Sequence, residues 1–384
     1  MGGYPLGVVW RGLRMLGYGA AAAGLASAAS VGLLLGQVNQ ARREIPRAQA
    51  PPPRADGRYR ARLGGEPLTM VMLGDSTAAG YGAAKPRQTP GALLATGVSR
   101  RLGRPVELHC LAVVGATSQR LAHQLEAALE LEPQLAVIII GANDVTHRNN
   151  PQAAVRHLVA AVRALRAIGA EVVVGTCPDL GTVLPIRPPL RWLARRWSRQ
   201  LAEAQTVGVV EAGGWTVSLG DLLGPRFAAE PHRMFGIDRF HPSPDGYAVA
   251  AAALLPTVLA ALGVVDPRVL VRSESIRSLP LAAAEASRRA GTEVSGTAVA
   301  GRGGAPGGRW AALRRVRPEV LRRVNPDLLR RFHPDVLRRA APEAVRRINI
   351  ELLRRVAPLM VRRIPLGSTE DHPRTPPETA LEPG

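Results

Sequence analysis

Several apolar runs in the first half of the chain stop at small-residue turns, and that recurrence sets the reading of the fold. Leu68–Leu73 is apolar except for Thr69, as a strand covered on both faces requires, and it ends in Gly74-Asp75-Ser76. Val106–Val114 reads as a second strand, ending in Gly115-Ala116-Thr117-Ser118. Leu135–Ile140 is a third, wholly apolar, ending in Gly141-Ala142-Asn143-Asp144. Pro90–Leu102 and Gln119–Leu131 carry helical periodicity, the second with a stripe at Leu121, Leu125, Ala128 and Leu129. Further on, the pattern predicts helix over Pro151–Ile168, strand over Glu171–Thr176, helix over Leu190–Gln205 and a fifth strand over Val207–Glu211. An Ala/Leu-rich helix then closes the domain at Leu262. Strands alternating with helices predict an α/β fold, a mostly parallel sheet with right-handed crossovers. Ser76, Gly115 and Asn143 would then share the carboxyl edge of that sheet, where open α/β folds place their ligands.

Asp238-Arg239-Phe240-His241-Pro242 precedes the last helix, followed by Gly246-Tyr247. A carboxylate three residues before an imidazole can accept a hydrogen bond from one ring nitrogen and leave the other facing a serine hydroxyl. Such a bond fixes the tautomer and supports the imidazolium formed when serine gives up its proton. The Asp–His spacing alone is common. Its weight comes from lying on the same chain as the three strand-end turns.

Gly74-Asp75-Ser76, Gly115, Gly141-Ala142-Asn143-Asp144 and Asp238-x-x-His241 together resemble, in order and spacing, the four blocks of the SGNH (GDSL-type) hydrolases. The resemblance covers about Pro67 to Gly263, and Val113–Ser118 and His241-Pro242-x-x-x-Gly246-Tyr247 also look like the family's surroundings. The nucleophile elbow Gly-x-Ser-x-Gly of the α/β-hydrolases is absent from these blocks. The resemblance implies a flavodoxin-like three-layer α/β/α sandwich on a mostly parallel five-stranded sheet. It implies Ser76 as nucleophile, His241 as general base and then acid, and Asp238 as the group that orients His241. The oxyanion hole would be the backbone N–H groups of Ser76 and Gly115 and the side-chain amide of Asn143. Glycine suits that place, since without a Cβ its N–H can closely approach a developing oxyanion. No cofactor or metal is implied. Asp75 and Asp144 read as turn and strand-end caps.

Cys110 and Cys177 make neither a disulfide framework nor a metal site. With the family's strand order they would lie three strands apart, roughly 14 Å. A disulfide needs Cα atoms within about 7 Å, so both read as free thiols. His109, His123 and His147 lack ligand-like spacing. Trp192, Trp197 and Trp215 read as packing residues rather than acyl-pocket lining. The loop Pro178–Pro189 and the segment Met234–Ile237 are expected to flank the serine and shape substrate choice.

The ends of the chain add the remaining organisation. Residues 1–45 read as a membrane anchor or signal segment, because Met15–Val38 is a run of 24 uncharged residues behind Arg11 and Arg14. Residues 46–65 read as a stiff Pro/Arg-rich spacer, 66–264 as the hydrolase domain, and 265–308 as a flexible linker. Over 309–365 Arg-Arg pairs recur with a period of eight, from Arg314-Arg315 to Arg362-Arg363, and 366–384 read as a disordered tail. Of the net charge of +20, much sits here: 17 Arg against 5 acids between Gly301 and Ile364. That suits contact with an anionic surface. Nucleic acid is disfavoured, since from Arg317 to Pro365 Phe332 alone offers a stacking face. The arginines between Arg42 and Arg58 outnumber those before the apolar run and favour a cytoplasmic domain, whereas large domains translocate largely regardless of charge. The expectation is therefore a membrane-anchored carboxylic ester hydrolase with its domain outside the cytoplasm, or secreted if the segment is cleaved. The alternatives are a lipase, lysophospholipase or thioesterase on the same site, or an inactive scaffold acting through its Arg-rich tail.

Overall fold

The computed structural model describes residues 28–45, 51–220, 224–264, 275–288, 292–296 and 310–315. All of these lie in one compact unit, Met1–Val324. Residues 1–27 and most of the Arg-rich repeats and tail fall outside the described residues, so the readings of those segments do too.

The strands are β1 (Gly57–Tyr59), β2 (Leu68–Gly74), β3 (Val106–Cys110), β4 (Leu135–Ile139), β5 (Glu171–Gly175), β6 (Trp215–Val217), β7 (Ser275–Ser278), β8 (Thr292–Gly296) and β9 (Trp310–Arg315). Helix α1 spans 28–44. It is followed by α2 (Ser76–Ala79), α3 (Pro90–Leu102), α4 (Leu121–Glu130), α5 (Ala142–Thr146), α6 (Pro151–Ala167), α7 (Leu190–Glu211), α8 (Gly224–Ala229), α9 (Pro231–Met234), α10 (Pro244–Ala261) and α11 (Leu279–Ala286).

Period-two alternation along the central strands sorts their side chains between two cores. Met70 and Met72 of β2, with Leu135, Val137 and Ile139 of β4, pack against Leu94 and Val98 of α3 and Leu254 and Val258 of α10. Val71 and Leu73, with Ala136 and Ile138, face the other way, onto Leu158, Val162 and Leu165 of α6 and Val209 of α7. Helices on both faces of a sheet make three layers. Helix α10 is 18 residues long and apolar enough to cross a membrane, yet 56% of it is buried in the domain. Its Leu254 and Val258 belong to the core, so it is accounted for without a bilayer.

The strands run in the order β1-β3-β2-β4-β5-β6-β8-β9-β7. The five from β3 to β6 are parallel: Met72 pairs with Cys110, Gly74 with Ile139, and Val173 with Trp215. The chain leaves β2 toward β3 by α3 on one face, then returns past β2 to β4 by α4 on the other. Connections from β2 and β4 thus part in opposite directions, opening a crevice at the carboxyl ends of those two strands.

Three segments differ from the sequence expectation. Helix α7 continues through Val207–Glu211 instead of yielding to a strand, and the fifth parallel strand is Trp215–Val217. Leu201, Ala202, Gln205, Thr206, Val209 and Val210 are all buried at helical spacing. That packed face outweighs the β preference of three valines. Strand β3 stops at Cys110, four residues early: Leu111 and Val113 still donate to the Met72 and Gly74 carbonyls, but the chain then turns, with the Ala116 N–H bonded back to Val113 O. The segment 265–308, expected as flexible linker, contains β7, α11 and β8. The backbone of β8 pairs antiparallel with β6, and α11 buries Leu279, Ala282 and Ala286 beside Val210.

Gly74 closes β2 with φ +132°, and a Cβ there would lie 1.9 Å from the Ile139 carbonyl oxygen. Gly74→Ala is therefore expected to lose about 3 kcal/mol or more of unfolding free energy, from backbone strain plus overpacking. Urea denaturation of the two proteins measures it, and a loss below 1 kcal/mol would mean β2 can move off β4.

Candidate active site

The turn after β2 is held from three sides. The Gln124 side chain of α4 accepts from the Gly74 N–H (2.8 Å) and donates to the Gly74 carbonyl (2.9 Å). The Asp75 N–H donates to Ile139 O, and the Asp75 carboxylate caps α2 by accepting from the Thr77 N–H at 2.9 Å. Ser76 is the first residue of α2, so its N–H has no partner within that helix.

The Asp238–His241 loop reaches this serine from the far end of the domain. Gly236 N–H donates to His241 O, Phe235 bridges Pro242, and the Ser243 side chain caps α10 at the Gly246 N–H. Within the loop one Asp238 oxygen accepts from the N–H groups of Phe240 and His241, both at 3.0 Å. The other lies 2.6 Å from His241 Nδ1, and His241 Nε2 lies 2.8 Å from Ser76 Oγ. Burial pushes the Asp238 carboxyl up, but hydrogen bonds from the His241 ring and the Phe240 N–H outweigh it and hold the group below its ordinary value. The carboxylate therefore stays ionised against the ring. Tyr81 sets its edge against the His241 ring at 4.6 Å, and Tyr247 donates to the Tyr81 carbonyl at 2.7 Å, fixing that wall.

The other two expected residues come from β3 and β4. Gly115 has φ +78°, and a Cβ there would meet nothing within 4 Å, so its backbone borders open space. Asn143 donates through Nδ2 to the Ala116 carbonyl at 3.0 Å, which orients its amide and leaves a second N–H on the same nitrogen. Asp144, expected as a strand-end cap, has a different partner set. Its buried carboxylate accepts from Ser118 N–H, Ser118 Oγ and Asn149 Nδ2, at 2.8–3.2 Å. It so ties the Gly115 loop to the helix bearing Asn143. The structure therefore brings Ser76, His241 and Asp238 into one hydrogen-bonded row and sets Gly115 and Asn143 on neighbouring turns joined through Ala116. Gln124 and Tyr81 were not singled out in the sequence, because an amide on a helix and a lone aromatic carry no motif, and Tyr247 was quoted with the Asp–His block but given no role. Among the three tryptophans, Trp192 is 46% exposed and so is not a core residue. A groove of about 390 Å³ opens beside this turn, lined by Leu111, Val113, Arg120, His123, Gln124 and Ala127.

A serine, an imidazole and a carboxylate thus stand in a hydrogen-bonded row in a crevice at a topological switch point, on an α/β fold of the SGNH hydrolase class. Residues 72–249 match the model of the GDSL-like lipase/acylhydrolase family. The chain is 44% identical over 247 residues to GDSL-like esterase Rv1075c of Mycobacterium tuberculosis, covering 61% of this chain and 78% of that protein. Among solved structures it is similar to LAE5, an alpha/beta hydrolase from the metagenome of Lake Arreo, Spain. There the identity is 18% and the TM-score 0.42, over 53% of this chain and 98% of that one. TesA aligns at 24% identity and a TM-score of 0.40, over 52% and 100% of the two chains. The chain belongs to the GDSL-like lipase/acylhydrolase family, and it is a carboxylic ester hydrolase.

Asp75 lies directly before the serine, and burial raises its carboxyl to about 6 from 3.8. Between about pH 4 and 6 the folded chain thus holds a proton that the unfolded chain has released. Stability is expected to fall as pH rises through that window, by on the order of 3 kcal/mol. Asparagine caps a helix as well as aspartate does. Asp75→Asn is therefore expected to raise the unfolding free energy at pH 8 and leave it nearly unchanged at pH 4. Equal differences at the two pH values would show that the carboxyl does not titrate there.

Proposed function

We propose that this hydrolase cleaves carboxylic esters through an acyl-enzyme formed on Ser76. The observation that carries the reading is the row Asp238–His241–Ser76, with spacings of 2.6 and 2.8 Å. His241 Nε2 takes the Ser76 proton as Oγ attacks the ester carbonyl, then returns it to the leaving alcohol. Water repeats the sequence in reverse and frees the acid. Asp238 holds the Nδ1–H tautomer and balances the imidazolium. The Ser76 and Gly115 N–H groups and the free N–H of Asn143 receive the negative charge on the carbonyl oxygen. Each such donor is worth about 3–4 kcal/mol in the transition state.

Membrane attachment is part of the proposal. Residues 15–30 of the uncharged run support it, whereas the end of the run lies in α1, where Leu34 and Gln37 are buried against the domain. In this reading the domain lies outside the cytoplasm, since large domains translocate largely regardless of flanking charge.

With the full chain in detergent, nitrophenyl esters of increasing acyl length are expected to be hydrolysed. Ser76→Ala should lose about 10⁴-fold or more in kcat, and Asn143→Ala about 10²–10³-fold. The chain-length preference sorts esterase from lipase or thioesterase. A wild-type protein inert on the whole panel would favour the scaffold reading. Topology has its own test, because Lys85 is the only lysine and is exposed. An impermeant amine reagent on intact cells should label wild-type protein more than Lys85→Arg. Labelling at Lys85 only after lysis would put the domain in the cytoplasm.

A further inference from the structure

Helix α1 lies across the loops that border the site. Leu34, Gln37 and Ala41, at helical spacing, are buried against the domain. The Gln37 amide donates to the Pro188 carbonyl and accepts from the Leu190 N–H, at 2.5 and 3.1 Å. At its carboxyl end, Glu44 pairs with Arg187 at 3.1 Å, and its carbonyl accepts from Arg239 at 3.2 Å. Arg239 stands between Asp238 and His241, so the end of α1 is bonded to the loop that carries the imidazole. From Val31 to Glu44 an α-helix rises only about 20 Å. The Arg239 guanidinium that tethers the Asp238–His241 loop is therefore about that far from the point where the uncharged run leaves the domain.

The surface around this helix is apolar in the wrong place for a soluble protein. Leu33 is 52% exposed, Leu184 45%, Trp192 46% and Ile237 99%. Leu33 precedes Gln37 by one turn and Trp192 lies in the first turn of α7, whose Leu190 N–H bonds to Gln37, so the backbones that carry them are joined through that amide. Arg191 Nη2 donates to the Leu184 carbonyl at 2.6 Å, which keeps that loop against the first turn of α7. Ile237 adjoins Asp238. Exposed arginines lie on the same two helices: Arg42 and Arg43 near the carboxyl end of α1, and Arg196 one turn beyond Trp192. Apolar side chains flanked by arginine fit a lipid surface, whose acyl boundary takes the former and whose anionic headgroups take the latter.

We propose that this rim rests on the bilayer into which the uncharged run leads, so that the site draws amphiphilic esters from the membrane surface. The inference rests on the ester-hydrolase reading and names the substrate class of that same site: esters with an acyl chain embedded in lipid. A second copy of the chain is the competing occupant. Against it stands the continuity of the rim with the uncharged run, which needs an apolar phase of its own.

The full chain is reconstituted into vesicles of phosphatidylcholine and phosphatidylglycerol, as wild type and as the double variant Leu33→Asp with Trp192→Glu. Both substituted side chains are exposed and neither belongs to the catalytic row. The variant is expected to hydrolyse soluble nitrophenyl acetate within twofold of wild type, and a long-chain ester dissolved in the vesicles at least tenfold more slowly. Bromination of the lipid chains should quench wild-type tryptophan fluorescence more than that of Trp192→Phe. Equal rates on the vesicle-borne ester and equal quenching would overturn the proposal. So would loss of quenching accompanied by dimers that the double variant abolishes, which would assign the rim to self-association. If wild type is inert on both esters, the hydrolase reading fails, while the quenching still reports whether the rim meets lipid.

Discussion

The site depends on how tightly β2 ends against β4. Gly74 and Ile139 are paired residues, and the space a Cβ would need at Gly74 is filled by the Ile139 carbonyl. The chain can make so close a pass only without a side chain, and only then does it turn within two residues to place Ser76 at the start of a helix. A turn set further from β4 would move the serine away from Asn143, which follows β4 after its own glycine at φ +134°. Ser76 and Asn143 are therefore spaced by backbone contact between two adjacent strands. Side-chain flexibility has little part in it.

Around that fixed point the domain brings in the remaining groups by separate routes. The loop carrying Asp238 and His241 is pinned by its own backbone bonds, by Arg239 to α1, and by Tyr81 against the imidazole. The Gly115 turn is held through Ser118 to Asp144, a buried carboxylate served by neutral donors. Four segments far apart in sequence thus converge, each tethered by at least one bond outside the Asp238–His241–Ser76 row. Such redundancy is how a site keeps its geometry within a few tenths of an ångström while the loops around it move.

Much of this was legible in the residues. Uninterrupted apolar runs located β2, β4 and β5, and glycine with small polar residues located the turns that follow them. The miss at Val207–Glu211 came from weighing β-branched residues above period. The burial of Leu201, Gln205 and Val209 on one stripe was already written at a spacing of four, but a glycine at 208 obscured it. Strand β6 is only three residues long, too short for alternation to register. Antiparallel strands β7 to β9 pair across long sequence separations, and a Ser, Gly and Arg composition hides such partners. Gln124 was invisible for another reason: what it does is defined by a backbone 50 residues away.

Three glutamines of the domain share one trait. Gln124 brackets Gly74, Gln205 joins Ile140 O to Cys177 N–H, and Gln37 joins Pro188 O to Leu190 N–H. A carboxamide has the same donor and acceptor as a peptide unit, so each acts as a one-residue surrogate strand where the sheet has run out. The loops can therefore diverge from regular pairing without stranding amides in a dry interior. The corollary concerns which replacements the fold admits. Leucine matches glutamine in bulk yet orphans a donor and an acceptor at once, and glutamate keeps only one of the two bonds. At these three places similarity of size is no guide to tolerance, and hydrogen-bonding complementarity decides.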